Sequence, residues 1–261
     1  MKRMMQINAV VLIGSLAAFT AALAELEGAW LFDSVEDGLV EDISGKGRDA
    51  LLGDGATIAG SGPFGSLMAL DGSATAGATI TGYKGVGGGD ARTIIFWWKG
   101  DAVIEHSWVK WGQNATGTKY YIRAHRTAPE CYLRIETSGG QHYGTTNVCD
   151  GEWHHLAVVY PEGGNGVKDH LLYVDGVEEA ETAGNPVAVD TDNAVQDVAI
   201  GHKLLHHVNA NGSMDEVAIY SSELSAGEIN DIMDGGLRGF LSVNPEGKAA
   251  AVWGRLKAET R

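Results

Sequence analysis

Asp150-Gly151-Glu152-Trp153-His154-His155-Leu156-Ala157-Val158-Val159-Tyr160, followed by Leu171-Leu172-Tyr173-Val174-Asp175-Gly176-Val177, is the stretch on which the fold turns. A turn dipeptide opens a run rich in aromatic and branched residues. Gly163-Gly164-Asn165-Gly166 breaks that run, and a second short run closes on another Asp-Gly. Asp-Gly supplies the positive φ angles of a tight hairpin turn, so the stretch reads as two strands. Alternation puts Trp153, His155, Ala157 and Val159 on one face and His154, Leu156, Val158 and Tyr160 on the other. Both faces are mostly apolar, which fits a central strand covered on both sides.

Working outward, the 37 glycines are dispersed between short apolar runs, and there are only 5 prolines. Many short strands with many tight turns predict an all-β sandwich. Expected strands include Gly28 to Phe32, Leu67 to Leu70, Thr93 to Lys99, Trp108 to Trp111, Tyr120 to Ala124, Tyr132 to Thr137, Tyr143 to Asn147 and Met214 to Tyr220. One short helix is expected. Ser225-Ala226-Gly227-Glu228 is a capping box, Ile229, Ile232 and Met233 form an apolar stripe, and Asp234-Gly235-Gly236 ends it.

Three regions follow. Lys2 and Arg3, an apolar stretch from Val10 to Ala22 and the small-x-small Ala22-Leu23-Ala24 read as a signal peptide over 1–24. An uncleaved anchor is the alternative, but the apolar stretch is short of the about 20 residues a spanning helix needs. Residues 25–236 form the domain. Residues 237–261 form a basic tail, with Lys248, Arg255, Lys257 and Arg261, that docks through Val252 and Trp253 or links to something else. The expected location is secreted, periplasmic or cell-surface, not transmembrane after cleavage.

The net charge is −15. So acidic a chain repels nucleic acid and anionic membrane and offers carboxylates to a hard cation; the acid also keeps it soluble. The two cysteines, Cys131 and Cys149, fall in strands predicted on either side of Ser138-Gly139-Gly140. In an oxidising compartment an even pair suggests a disulfide, the alternative being two buried thiols.

Four segments, in order, resemble the laminin-G-like, concanavalin A-like jelly rolls, a superfamily that includes the pentraxins. Trp30-Leu31-Phe32-Asp33 with Asp42-Ile43-Ser44-Gly45-Lys46-Gly47-Arg48-Asp49-Ala50 is similar to W-x-F-D-E … D-x-S-G-x-G-x-D-G. Leu70-Asp71-Gly72 follows, then the Trp153 hairpin. Ile200-Gly201 with Gly212-Ser213-Met214-Asp215-Glu216-Val217-Ala218-Ile219-Tyr220 is similar to G-x-I-D-E-V-x-I-Y. Ala50 and Met214 depart from the pattern without threatening the fold. The resemblance spans Gly28 to Gly236. It implies a two-sheet antiparallel jelly-roll sandwich with its helix packed on the edge, serving as a recognition scaffold more often than an enzyme.

The resemblance also implies a structural calcium site between the opening segment and the last strand. Asp33, Asp42 and Asp215 are its candidate ligands, with Asp49 and Asp71 weaker; calcium takes six to eight oxygens. The alternative is that Asp42 and Asp49 are turn residues bonding their own backbone. The pairs His154-His155 and His206-His207 cannot chelate one ion simply, because adjacent strand residues point to opposite faces.

A third constellation is aromatic and basic: Trp108, Trp111, Tyr120, Arg123, His125 and Tyr143, with Lys110, Arg126 and His142. In jelly rolls such residues lie on the concave sheet or its rim. Aromatic platforms with a polar rim hold sugars; the alternative is that the tryptophans fill the core. No strand carries the alternating E-x-D-x-x-E of glycosidases of this fold class, and G-x-S-x-G, P-loop and H-E-x-x-H patterns are missing. Arg123, His125 and Tyr143 resemble a lyase's charge neutraliser and base by residue type alone. The expected function is a non-catalytic, exported module recognising a carbohydrate or a cell-surface or matrix protein. The alternatives are an adhesive envelope component without a small ligand and, further off, a hydrolase or lyase of this fold.

Overall fold

The computed structural model describes residues 25–180, 185–192, 195–202 and 209–243. The expected signal peptide, the 206–207 histidine pair and the docking residues Val252 and Trp253 lie outside the described residues. Sixteen strands and one α-helix are found among those described. In chain order they are β1 (Leu26–Trp30), β2 (Leu39–Val40), β3 (Ala50–Leu52), β4 (Ala56–Gly62), β5 (Gly65–Asp71), β6 (Ala78–Ile80), β7 (Arg92–Lys99) and β8 (Ser107–Gly112). Then come β9 (Lys119–Thr127), β10 (Glu130–Glu136), β11 (Gln141–Tyr143), β12 (Trp153–Tyr160), β13 (Leu171–Val174), β14 (Val177–Glu178), β15 (Val198–Ile200), β16 (Asn211–Tyr220) and α1 (Ala226–Val243).

The strands form two antiparallel sheets. The first runs β14-β13-β12-β7-β16-β5-β4, with β1 also on β16; the second runs β11-β10-β9-β8-β15-β6-β3-β2. The Trp153 run forms β12 between β7 and β13, as its two apolar faces require. Leu156, Val158 and Tyr160 enter the core between the sheets. Ala157 and Val159 point the other way into a second apolar layer under α1. Asp175 and Gly176 both take positive φ, 51° and 74°, and turn the chain from β13 into β14. The inter-sheet core also takes Trp30, Phe96, Trp98, Ile122, Leu133 and Ile135, each worth about 1.5–3 kcal/mol of burial or more.

The helix departs from expectation in two ways. It lies across the outer face of the first sheet rather than on its edge: Ile229 and Ile232 pack with Ile95, Ala157, Val159, Ala218 and Tyr220. It also continues past the expected stop. Gly236 takes φ 67°, the axis breaks there, and the next turns bury Leu237 and Phe240 in the same layer. The helix therefore runs through Val243, past residue 236.

Cys131 and Cys149 are joined in a disulfide with their Cα atoms 5.6 Å apart. Cys149 is not in a strand. β11 stops at Tyr143, and the following segment folds back so that Val148 N–H donates to the Cys131 carbonyl at 2.9 Å. No helix among the described residues is long and apolar enough to cross a membrane.

Candidate binding face and candidate cation pair

The helix covers much of the outer face of the first sheet, so the outer side of the second sheet is the polar one, although its central residues Ser107, Lys119, Tyr121 and Arg123 are buried. Strand alternation decides what it displays. On β9, Lys119, Tyr121, Arg123 and His125 share a face, and on β10 Tyr132, Arg134 and Glu136 do. The register sets Arg134 opposite Arg123, Glu136 opposite Tyr121, and Tyr132 opposite His125. β8 adds Ser107 opposite Arg123 and Lys110 opposite Tyr121. β11 adds Tyr143 opposite Arg134.

Glu136 organises this face. It accepts hydrogen bonds from Lys119 Nζ, from Arg134 at 2.6 Å and from Arg123 at 3.3 Å. Burial pushes its carboxyl up, but the Lys119 bond and the charges of Arg134, Lys119 and Arg123 outweigh this and hold it below the ordinary carboxylate range. Arg123 also pairs with Glu105 and stands over the Tyr121 ring, whose hydroxyl bonds Ser107. Burial lowers the pKa of Lys110, Lys119 and Arg134 alike.

Beside this array lies a run of rings. Tyr143 leans across β10 and stacks on His125 with centroids 4.0 Å apart and planes 17° apart. His125 in turn lies 6.5 Å from Tyr132, nearly parallel. All three rings are partly exposed. Tyr132 donates its hydroxyl to Glu130 at 2.6 Å. Burial, and then the charge of Arg134, lower the His125 pKa, so the ring is neutral near pH 7.

The structure therefore divides the expected aromatic site. Arg123, His125 and Tyr143 point to the outer side of the second sheet, although Arg123 is itself only 1% exposed. Trp108, Trp111 and Tyr120 do not: they are 1%, 0% and 0% exposed and belong to the inter-sheet core. Trp111 and Tyr120 are cross-strand partners whose rings stack 4.3 Å apart inside the sandwich. Trp108 would face outward with Lys110 by plain alternation. A bulge between Ser107 and Val109 turns it inward onto Phe96 and Trp98. Among the described residues the partly exposed tryptophans, Trp97 and Trp153, are on the first sheet. The residues missed from the sequence are Tyr132, Arg134, Glu136 and Lys119. Their odd–even phase on β9 and β10 was the available signal.

The acidic candidates also divide. Asp42 is occupied by its own loop. Its carboxylate accepts from Ala29 N, Ser44 N and Arg48 N at 3.0 Å each, and from Ser44 Oγ at 2.8 Å. Asp49 accepts from Asp42 N at 2.9 Å, and Asp71 from Ser73 N at 2.8 Å. These three are turn residues, so Asp42 does not join the others as an ion ligand. Asp33 and Asp215 do come together, both against the β4–β5 turn. Phe64 N donates to Asp215 at 3.3 Å and Ser66 N to Asp33 at 3.2 Å. A methyl group on Gly62 or Gly65 would strike these carboxylates. Burial, reinforced by the charge of Asp33, raises the Asp215 pKa to about 7. Burial likewise raises Glu216 to about 7, despite the Leu237 N–H bonded to it. Arg238 stands 3.5 Å from Asp33. Among the described residues no three His, Cys, Asp or Glu side chains converge as a ready metal cage. Asp33 and Asp215 have the hard-oxygen chemistry calcium uses and a deficit of countercharge, so the pair fits a cation that draws its other donors from carbonyls or water.

Residues 71–230 match the profile of the Concanavalin A-like lectin/glucanases superfamily, and the chain belongs to that superfamily. No curated protein sequence matches the chain. Among solved structures it is similar to Domain 4 of AbnA, a GH43 extracellular arabinanase from Geobacillus stearothermophilus, in complex with arabinotriose. The identity is 21%, over 80% of this chain and 98% of that one, at a TM-score of 0.57. It is similar to the binding domain of Paraclostridial Mosquitocidal Protein 1 (15% identity, 79% of this chain, 51% of that chain, TM-score 0.57). It also resembles Trypanosoma rangeli sialidase in complex with sialic acid (14%, 84%, 33%, TM-score 0.56). The chain thus spans about half of the second and a third of the third. At these identities the likeness is one of fold.

Proposed function

We propose that this chain is a non-catalytic binding module that holds a carbohydrate on the outer face of its second sheet. The observation that carries the reading is the juxtaposition of the His125–Tyr143 stack with the Lys119–Glu136–Arg123–Arg134 array. A ring face accepts the C–H face of a sugar while fixed charged groups bond its hydroxyls. Glu136, held ionised by three cations, is suited to accepting hydroxyl bonds rather than to donating a proton. The arabinotriose complex of the arabinanase domain supports a carbohydrate over a protein ligand. The disulfide suits an exported domain. Calcium, held by Asp33 and Asp215, would tie the segment after β1 to β16 and stabilise the fold without touching the ligand.

A glycan array probed with the wild type and with Tyr143→Ala tests this. The wild type retains at least one glycan class and the variant loses it with its melting temperature little changed. Equal retention by both removes this face as the site. New reducing ends from incubated polysaccharides would replace the binding module with an enzyme.

A further inference from the structure

We infer that the carbohydrate held on this face is an anionic one, a polymer of carboxylate-bearing (uronic acid) sugars. The inference rests on the reading that this face binds carbohydrate. Its basis is a local charge of the opposite sign to that of the chain. The protein carries −15 overall. Yet the central strands of this face carry four cations, Lys110, Lys119, Arg123 and Arg134, against two carboxylates, Glu105 and Glu136. Glu130, in phase with Tyr132 and Arg134 on β10, adds a third carboxylate at the end of the face and accepts from Tyr132; Arg126, opposite Cys131, is out of phase with it.

Both central carboxylates are already engaged. Glu136 serves Lys119, Arg123 and Arg134, and Glu105 serves Arg123. Lys110 is left over. Its ammonium makes no ion pair or hydrogen bond among the described residues, though it is partly buried on β8, between Tyr121 of β9 and Ala199 of β15. Desolvating an ammonium without a partner is costly, and a ligand carboxylate laid on this face would supply one. Arg134, with Tyr143 beside it, presents a planar donor array that matches a carboxylate in two-pronged fashion. One of its nitrogens, Nη2, is given to Glu136 at 2.6 Å, while its Nε has no hydrogen-bond partner among the described residues. A neutral sugar would satisfy the rings but leave the surplus positive charge at Lys110 uncompensated. A carboxylate on successive sugar units meets both requirements.

The test uses the purified protein against immobilised polygalacturonate, alginate and hyaluronate, each beside its own carboxyl-reduced form. At least one uronate polymer is expected to bind. Its reduced form, with the same ring stereochemistry and no charge, binds at least about tenfold more weakly. Lys110→Gln, which removes no ion pair or hydrogen bond among the described residues, weakens the parent polymer about tenfold, the loss of one charge-assisted hydrogen bond. Equal binding of parent and reduced polymers overturns the anionic ligand while leaving the carbohydrate site standing. So does Lys110→Gln binding as wild type; tighter binding to dextran sulfate than to any uronate polymer overturns the carboxylate-bearing class. Binding to none of the uronate polymers overturns it as well. If Tyr143→Ala also leaves every glycan signal on an array unchanged, the carbohydrate reading falls with it.

Discussion

Trp111→Ala separates a core tryptophan from a sugar platform. The ring is fully buried and stacks on Tyr120 at 4.3 Å, and its Nε1–H donates to the Val86 carbonyl at 3.2 Å. Gly85 sits so close to the indole that even a Cβ there would collide with it. Truncating a buried Trp to Ala costs about 3–5 kcal/mol. The Val86 carbonyl keeps donors from Arg92 and Thr191, so no orphaned acceptor adds to that. A domain of this size loses about 2–4 °C of melting temperature per kcal/mol, so the variant should melt about 6–20 °C lower. Urea unfolding at constant slope gives the free energy directly. Tyr143→Ala, on the partly exposed face, should cost at most about 1 kcal/mol. Below its melting point Trp111→Ala should still retain glycan. A variant with an unshifted urea midpoint and lost glycan retention would mean that Trp111 is a surface platform and that the inward face is misassigned.

Removing the disulfide with a paired Cys131→Ser, Cys149→Ser change should cost about 3 kcal/mol for a link across 18 residues; an unchanged urea midpoint with and without reductant would contradict it. Stability should also depend on pH through groups of opposed sign: burial raises Asp215 and Glu216 to about 7, so their share grows as pH falls, while the buried histidines act the other way. Burial depresses His106 and His155 to about 4 and His170 to about 3, so they contribute stability above the unfolded pKa of about 6.5 that is lost as pH falls through the folded values. His154 has the opposite sign. Its bond to Asp175 (Nδ1 2.8 Å from the carboxylate), and then the one to Asp150, raise its pKa against burial, so its share is present below about 6.5 and fades as pH climbs through its folded value. Melting curves from pH 4.5 to 9 for the wild type and His155→Gln should separate them: the variant should lose less stability than the wild type between pH 6.5 and 4.5, and an equal loss would refute the histidine share. Calcium at about a hundred times its dissociation constant should stabilise the fold by about 2.7 kcal/mol, seen as a melting shift that Asp215→Asn removes; identical melting in calcium and chelator would sink the cation pair.

Much of the sandwich was legible because its signals are local. β12 matches the expected Trp153–Tyr160 residue for residue, since alternation, branched residues and flanking Asp-Gly turns agree. Strand β4, ATIAGSG, was missed because small residues and glycines give no periodic pattern. The helix was read from its capping box but stopped too early, because Gly236 signals an end until a second apolar layer gives Leu237 and Phe240 somewhere to go. The site was legible only in part. Alternation on β9 already separates Tyr120 from Arg123 and His125, and pooling them by residue type lost that information. The inward turn of Trp108 was not readable, because a bulge leaves no local mark in Ser107-Trp108-Val109. The acidic set failed at Asp42 for a related reason. A carboxylate that organises Asp42-Ile43-Ser44-Gly45-Lys46-Gly47-Arg48 and one that faces an ion look alike until the donors around them are placed.

The measurement closest to the central claim is a crystal structure of the protein with an oligosaccharide cut from whichever glycan it retains. Sugar rings should lie over His125 and Tyr143 with hydroxyl or carboxylate oxygens within hydrogen-bond reach of Arg134, Glu136 or Lys110. Sugar density seated on the first sheet around Trp97 and Trp153, with the outer face of the second sheet bare, would contradict the account.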